Sequence, residues 1–536
     1  MDITYLALGP RRVRAAAWHT ARLAADGHRV TLAVPAGPGW DGVRLAPGVR
    51  LHPVRSRAQA RRLIAAADLA YTGDPEALAA AYGTDTRTEP AADPRRRPAP
   101  ADLAVVTPWY PSPDDPFAGA FVRAAAAAVR CGRISVLHTQ SWYYPPGRLR
   151  GQLLGVAAER QAVRCGNVVV GDASPGFPGE VARVAAPTPA GGDYLAYGDA
   201  QTVALRAALP TGRIEAPVVH AHTGIMGGVV AARLARPDAR LVVTEHATFL
   251  TRIFAQPGAH ERYARMLDRA DALLCVSRSL RDQLAGYFPS YAGKLHVVPN
   301  VVDFDLFAPR RPPNAPRRWL YLGRLMEHKG VLTLIDAFAA VAAEDPTLTL
   351  TLVGSGPLTA AVDARIAATG LTGRIVRRPP VDPGAVTALL HEHDLLAHAS
   401  LRETFGVTVV EAVAAGLPLL VARSEGPAET LAGLEEIVGV VFAPTTDPAV
   451  IVAAYRRLRD RFADLDLPAA RAALHARYGR EAVAGQLLAA YAGTSDGGPS
   501  LTLPRHRVRS GSPLPEAAIR TTRRAARKVL RRIRSR

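Results

Sequence analysis

Two doubly wound α/β domains in tandem, each on a parallel sheet, are what this sequence predicts, with a smaller α/β module ahead and a basic helix behind. Three observations carry this. The 536 residues exceed what one hydrophobic core serves. Short apolar runs bounded by Gly and Pro alternate with segments of helical spacing, the layout of βαβ units. Two Pro-rich stretches, 84–102 and 299–316, interrupt the alternation.

Taken in order, residues 1–83 read as a half-module. Ile3–Leu8, His28–Val34 and Ala67–Thr72 have strand character, and Arg14–Ala25 has helical spacing. Residues 84–102 read as a linker. Residues 103–300 form the first large domain, with strands at Leu103–Thr107, Ile134–His138, Val218–Ala221, Leu241–Thr244, Ala272–Val276 and Leu295–Pro299, and a helix at Phe121–Val129. The stretch 145–215 is irregular. Residues 301–492 form the second large domain, with strands at Trp319–Leu322, Leu348–Val353, Ile375–Arg377, Leu395–His398 and Pro418–Val421 and helices such as Gly330–Ala343 and Val407–Ala415. Residues 493–515 read as a polar linker, and 516–536 as a helix with Ile519, Ala526, Val529, Leu530 and Ile533 on one side and arginines elsewhere.

Composition excludes several classes. Cys131, Cys165 and Cys275 are the only cysteines, too scattered for a disulfide framework or a zinc site, and they suit a reducing compartment. The start, MDITYLALGP, lacks a basic flank and a long apolar run, so no signal peptide is expected. No run approaches the ~20 apolar residues that cross a bilayer. Of the net charge of +19, the stretch Arg505–Arg536 carries +11, twelve basic residues against Glu516. The charge therefore belongs mostly to a tail, and specific nucleic-acid binding by the whole chain is not expected.

Tandem doubly wound domains leave a cleft between the carboxyl ends of two sheets, where such sheets bind ligands. Four stretches fall there. In Tyr321-Leu-Gly-Arg-Leu-Met-Glu-His-Lys-Gly330, Gly323 ends a strand and a helix follows Gly330. Arg324 and Lys329 thus lie where helix-start donors also favour an anion, a setting that suits a diphosphate. In Ser400–Pro418, Glu403 follows a strand and Glu411 comes after seven intervening residues, inside an apolar run where a carboxylate needs a partner. Carboxylates at a pocket mouth accept well from ribose hydroxyls. In Ser424-Glu-Gly-Pro-Ala-Glu429, Gly426 permits close backbone approach. In the first domain, Val219-His-Ala-His222 and Thr244-Glu-His246 end two strands. His246 is the stronger functional candidate there, ahead of His220 and His222. A metal site is not expected, because the groups come from two strands without a completing ligand.

Residues 103–491 resemble the family 4 glycosyltransferases, retaining enzymes of GT-B fold. The resemblance rests on Thr107–Arg123 (TPWYPSPDDPFAGAFVR), the GRL…KG stretch 323–330, Glu403-x(7)-Glu411 and its continuation EAVAAGLPLL. It implies that Arg324 and Lys329 hold the donor's diphosphate, Glu411 the ribose and Glu403 the transferred sugar. The backbone around Gly323 and from Thr404, Phe405 and Gly406 to Val407 would lie by sugar and phosphates, His246 at the sugar, and Gly119 would let the first loop approach the donor. Asn300 belongs to the hinge, here Asn-Val-Val-Asp where the family usually has Asn-Gly-Val-Asp, and Ser424-Glu425-Gly426 replaces the usual Gly-Gly. Residues 1–98 have no place in the family plan and resemble a truncated copy of the same domain's first half without its site motifs.

The expected partners are a nucleotide-sugar donor, an unidentified glycan or lipid-linked acceptor, and an anionic membrane surface for the C-terminal helix. No cofactor or metal is expected if Arg324 and Lys329 neutralise the leaving diphosphate. The location implied is cytoplasmic, peripheral at the inner face of the plasma membrane. A GT-B sugar-nucleotide epimerase and a non-catalytic sugar-nucleotide binder share the fold and are the alternatives.

Overall fold

The computed structural model describes residues 1–8, 23–36, 45–72, 101–112, 117–144, 168–172, 179–310 and 313–494, with a few isolated positions between them. Most of the 84–102 linker, nearly all of 493–515, the whole 516–536 helix and Cys165 lie outside the described residues.

The first sheet comprises β1 (Asp2–Leu6), β2 (Arg29–Pro35), β3 (Val49–Val54) and β4 (Leu69–Thr72), all parallel in the order β3-β2-β1-β4. Alternate residues feed two apolar clusters. Ile3, Tyr5, Leu32 and Val34 belong to one, and Leu6, Ala33 and Ala70 to the other. Both faces are therefore covered, as parallel sheets require. The strand β3 was not expected. Arg50, His52 and Pro53 break its apolar alternation, which an edge position tolerates.

The second sheet has eight strands: β5 (Leu103–Thr107), β6 (Ile134–Tyr144), β7 (Val168–Asp172), β8 (Gly179–Pro189), β9 (Val218–His222), β10 (Arg240–Glu245), β11 (Ala272–Cys275) and β12 (Leu295–Val297). The order is β12-β11-β10-β9-β5-β6-β8-β7, parallel except for the β7–β8 pair. The stretch expected to be irregular thus supplies two strands and the helix Tyr194–Ala208. The strand β6 runs six residues beyond its expected end, because β8 pairs with it through Tyr144.

The third sheet holds β13 (Arg318–Leu322), β14 (Thr349–Val353), β15 (Ile375–Arg378), β16 (Leu395–His398), β17 (Leu419–Ala422) and β18 (Gly439–Phe442), in the order β15-β14-β13-β16-β17-β18. This is the doubly wound order with a reversal between β13 and β16, the place where such sheets hold ligands. Its strands are almost wholly buried, including Trp319, Leu320, Leu395, Leu396 and Leu420.

Two features join the large domains. One apolar cluster runs from the first domain through Phe304 and Phe307 to Phe405 and Val409 of the second. The last described helix, Arg480–Ala492, returns to the first domain, where Val483, Leu487 and Tyr491 pack in one cluster with Leu103, Val105 and Val122. Arg240 Nε donates to the Ala490 carbonyl at 2.7 Å and holds the end of that helix.

Candidate active site

At the carboxyl end of β13 the chain turns through Gly323 to Arg324, which is exposed, then a short 3-10 turn at Glu327–Lys329, then the helix Val331–Ala342. Gly330 joins turn to helix in the left-handed region, with φ 63°. A Cβ there would stand 2.2 Å from the Ala399 carbonyl oxygen, so only glycine lets this loop lie against the one after β16. The Leu401 N–H donates to the His328 carbonyl at 2.8 Å and ties the two loops together.

That contact places Lys329 against Glu403. Lys329 Nζ donates to Glu403 Oε2, with side chains 17% and 15% exposed. His398, at the end of β16, stands 3.8 Å from the same oxygen and accepts from or donates to Ser400 Oγ at 3.2 Å. Burial pushes the Glu403 carboxyl up, but Lys329, His398 and His328 together outweigh it and hold the group below the usual carboxylate range. His398 is driven down to about 4 by burial and Lys329. His328 is lowered by burial and by Lys329, Arg324 and Arg402 against the opposing pull of Glu403, which marks a concentration of cations at the loop ends. His398 and Arg402 were not singled out from sequence. A histidine ending a buried strand, in DLLAHAS, is the signal that could have found the first.

Beyond Gly406, in the left-handed region at φ 85°, the helix Val407–Ala414 begins. Phe405 is buried edge-on against Tyr478 and anchors the loop. Glu411 lies half-buried on the helix, and its carboxylate makes no hydrogen bond among the described residues. Burial pushes it up to about 7. Gly426 is needed where a Cβ would stand 2.5 Å from the Phe405 backbone, so it serves contact within this half of the cleft.

Across the cleft, His246 follows β10. Its Nε2 lies 2.9 Å from His222 Nδ1, at the end of β9, and its ring packs on Phe121. His220 is bonded through Nε2 to Thr244 Oγ1 at 2.7 Å and through Nδ1 to the Tyr491 hydroxyl at 2.8 Å, so the returning helix reaches this group. Burial is the main reason all three imidazoles are pushed down, His220 and His246 to about 3. They are neutral near pH 7. Gly119 has φ 65°, and a Cβ there would stand 2.1 Å from the Trp109 carbonyl oxygen. Its freedom is used where the first loop folds on itself. Among the described residues, no group of three or more His, Cys, Asp or Glu is placed to hold a metal ion, and no helix is long and apolar enough to cross a membrane.

Further hydrogen bonds cross between the domains beside the site. Thr404 Oγ1 donates to the His246 carbonyl at 3.3 Å, and the Arg278 N–H donates to Glu429 Oε2 at 2.7 Å. The structure thus brings Lys329, Glu403 and His398 together, sets Thr404 against His246, and leaves Glu411 unpartnered.

Residues 304–461 match the family model described as glycosyl transferases group 1, and residues 159–306 match that of glycosyltransferase family 4. The chain is 32% identical over 257 residues to a glycogen synthase of Mycobacterium tuberculosis, a match covering 45% of this chain and 60% of that protein. It is 26% identical over 302 residues to a 2-deoxystreptamine glucosyltransferase of Streptomyces kanamyceticus, covering 51% and 78%. In fold it is similar to Anabaena HepE in complex with UDP, with TM-score 0.52 at 18% identity over 73% of this chain and 100% of that one. It is also similar to the sucrose-phosphate synthase of Thermosynechococcus elongatus, with TM-score 0.51 at 17% identity over 73% and 98%. With adjoining matches over 159–461, more than half of the sequence, and a cleft between two doubly wound domains, the chain belongs to family 4 of the glycosyltransferases, with the GT-B fold.

Proposed function

We propose that this protein transfers a sugar from a nucleoside-diphosphate donor to a hydroxyl acceptor with retention of configuration. The observation that carries the reading is the Lys329–Glu403 pair beside Arg324, at the β13–β16 reversal and the start of the helix Val331–Ala342. An ammonium held by one carboxylate in a half-buried pocket can exchange that partner for a diphosphate, whose charge grows as the glycosidic bond breaks. Arg324 and the helix-start amides add to the same field. Glu403, released by Lys329, then faces the transferred sugar, and the unpartnered Glu411 takes the ribose hydroxyls. Thr404 to Val407 line the path between them. His246, neutral, offers a hydrogen bond to the sugar without competing for the phosphate. Retention follows if the diphosphate oxygen takes the acceptor proton on the face it leaves.

HepE is recorded with UDP and UDP-glucose, which makes uridine sugars the first donors to test. The relatives' names include polyol acceptors, 2-deoxystreptamine and inositol phosphate. A glycan or lipid-linked acceptor fits a cytoplasmic enzyme held at an anionic membrane by the basic residues 516–536. Residues 1–83 act as an accessory module without a donor site.

A panel of nucleotide sugars tests this. The donor raises the melting temperature, because it binds only the folded state, and nucleoside diphosphate is released in proportion to transfer. Stabilisation without release marks a non-catalytic binder. Conversion of the sugar without its transfer marks an epimerase.

A further inference from the structure

The half of the cleft formed by the first domain depends on a carboxylate that touches no ligand in the proposed reaction. Glu245, the last residue of β10, is fully buried. It accepts four hydrogen bonds. Oε1 takes the N–H groups of His246 at 2.8 Å and Ala247 at 2.9 Å. Oε2 takes the Gly224 N–H and the Tyr263 hydroxyl, both at 2.9 Å. A buried carboxylate is costly, and here the cost is offset by neutral donors rather than by a cation.

These donors belong to two different strand ends. Gly224 is the second residue of the π-helical turn Thr223–Gly228 that follows β9, and His246 and Ala247 follow β10. Thr223 has φ 65°, a left-handed conformation that among the described residues no other non-glycine adopts. Such strain persists only where surrounding contacts over-determine it. Gly224 cannot be replaced either, because a Cβ there would stand 2.4 Å from the Tyr263 ring. The residue before this turn is His222, and the residue after Glu245 is His246. One carboxylate therefore sets the separation of the two backbones from which the 2.9 Å contact between these imidazoles springs.

We propose that Glu245, with Tyr263 as its hydroxyl donor, is the positioning residue of the first-domain half of the site. By clamping the Thr223–Gly228 turn to the end of β10, it holds His246 in register with His222 and aims it at the transferred sugar. The proposal rests on the glycosyl-transfer reading for the sugar, and on the fold alone for the clamp. Glu245→Gln keeps the volume but places an amide against the Gly224 N–H, so one backbone donor loses its acceptor and the turn is released. Tyr263→Phe removes one donor and leaves the three backbone bonds.

The test uses the full chain and two readouts. In the first, the imidazole nitrogen NMR resonances of His222 and His246 are assigned with a His246→Gln variant. Glu245→Gln is expected to shift both, Tyr263→Phe less, while those of His398 in the other domain stay in place. Unchanged His222 and His246 resonances in Glu245→Gln overturn the proposal, whatever the enzyme's activity. In the second, kinetics use whichever nucleotide sugar the wild type turns over. Glu245→Gln should lower kcat roughly 10- to 100-fold, the cost of a small misplacement at a reacting centre, with UDP affinity measured by calorimetry held within about twofold. Equal loss of UDP affinity and kcat would mean general unfolding and overturn the positioning role. If Glu245→Gln does not fold, Tyr263→Phe decides, with a loss of kcat of a few fold at unchanged UDP affinity expected. A wild type that turns over no nucleotide sugar defeats the transferase reading and leaves the NMR arm to judge the clamp.

Discussion

The two walls of the cleft solve the problem of buried polar groups differently. On the first-domain wall, polar side chains are held by neutral partners within the fold: His220 by Thr244 and Tyr491, His222 by His246, Glu245 by backbone amides and Tyr263. On the second-domain wall Lys329 and Glu403 are joined to one another as an ion pair, and the Glu411 carboxyl has no hydrogen-bond partner among the described residues. A group tied to neutral partners within the fold keeps its place when a ligand arrives. A charge paired with another side chain, or left unpaired, gains by exchanging that state for a ligand. The first wall is therefore built to fix geometry, and the second to change partners.

The contrast is broken most severely at Lys329. Lys329→Ala is expected to lower kcat/KM by about 2–4 kcal/mol in transition-state terms, the scale of losing one preorganised electrostatic group. Steady-state kinetics check it, and near-wild-type turnover in a folded variant would remove the diphosphate assignment. The same variant has a stability signature. Glu403 is held below its ordinary value, so the pair stabilises the fold above the unfolded carboxylate pKa, and that stability is lost as pH falls through the folded value. The deficit of Lys329→Ala in urea melts should therefore be largest near neutrality and shrink in acid.

Glu411 has the opposite sign. Its folded value, about 7, lies above the ordinary 4.5, so its favourable contribution is present in acid and disappears as pH rises through about 7. Glu411→Gln should stabilise the free protein at about pH 8 by on the order of 2–3 kcal/mol and do little near pH 4. It should also weaken UDP binding about tenfold, since one good acceptor for ribose is lost. A stabilised variant with unchanged UDP affinity would separate the buried charge from the ribose.

The basic tail sharpens the comparison outside the cleft. Truncation at Gly493 should abolish binding to anionic vesicles at low salt and leave donor binding intact, each basic residue having contributed about 1 kcal/mol near the surface. Flotation of full and truncated chains with neutral and anionic vesicles measures this. Equal binding by both chains would end the membrane reading.

The smallest effect is expected where the walls touch. Glu429→Gln weakens the bond to the Arg278 N–H, and Thr404→Val removes that to the His246 carbonyl. Each should cost about 0.5–1.5 kcal/mol in denaturant melts. A larger shift in KM than in stability would show that these bonds report on closure.

What was legible in the sequence follows the same division. Strands such as β13 and β16 are short apolar runs, and their ends lead to Lys329 and Glu403, which the structure brings together. The Lys329–Glu403 pair was not readable, because 74 residues separate the partners and a backbone bond from Leu401 to His328 joins their loops. Glu245 was passed over because a glutamate between Thr and His reads as a surface charge or a ligand. The signal was present: a carboxylate ending an apolar strand has to find donors within the fold. The strands β7 and β8 were obscured by Gly and Pro, which they tolerate through their extended pairing.

The returning helix carries a consequence for how the protein is made. Val483, Leu487 and Tyr491 complete the core around β5, yet the ribosome adds them 380 to 388 residues after Leu103. The sheet from β13 to β18 is contiguous in sequence, over 318–442, and can close as soon as it has been synthesised. The domain that emerges earlier must wait, with an apolar seam open to solvent and to chaperones, until residues 480–492 have been synthesised. A stop codon placed just before Arg480 would therefore damage the domain built from the other end of the gene.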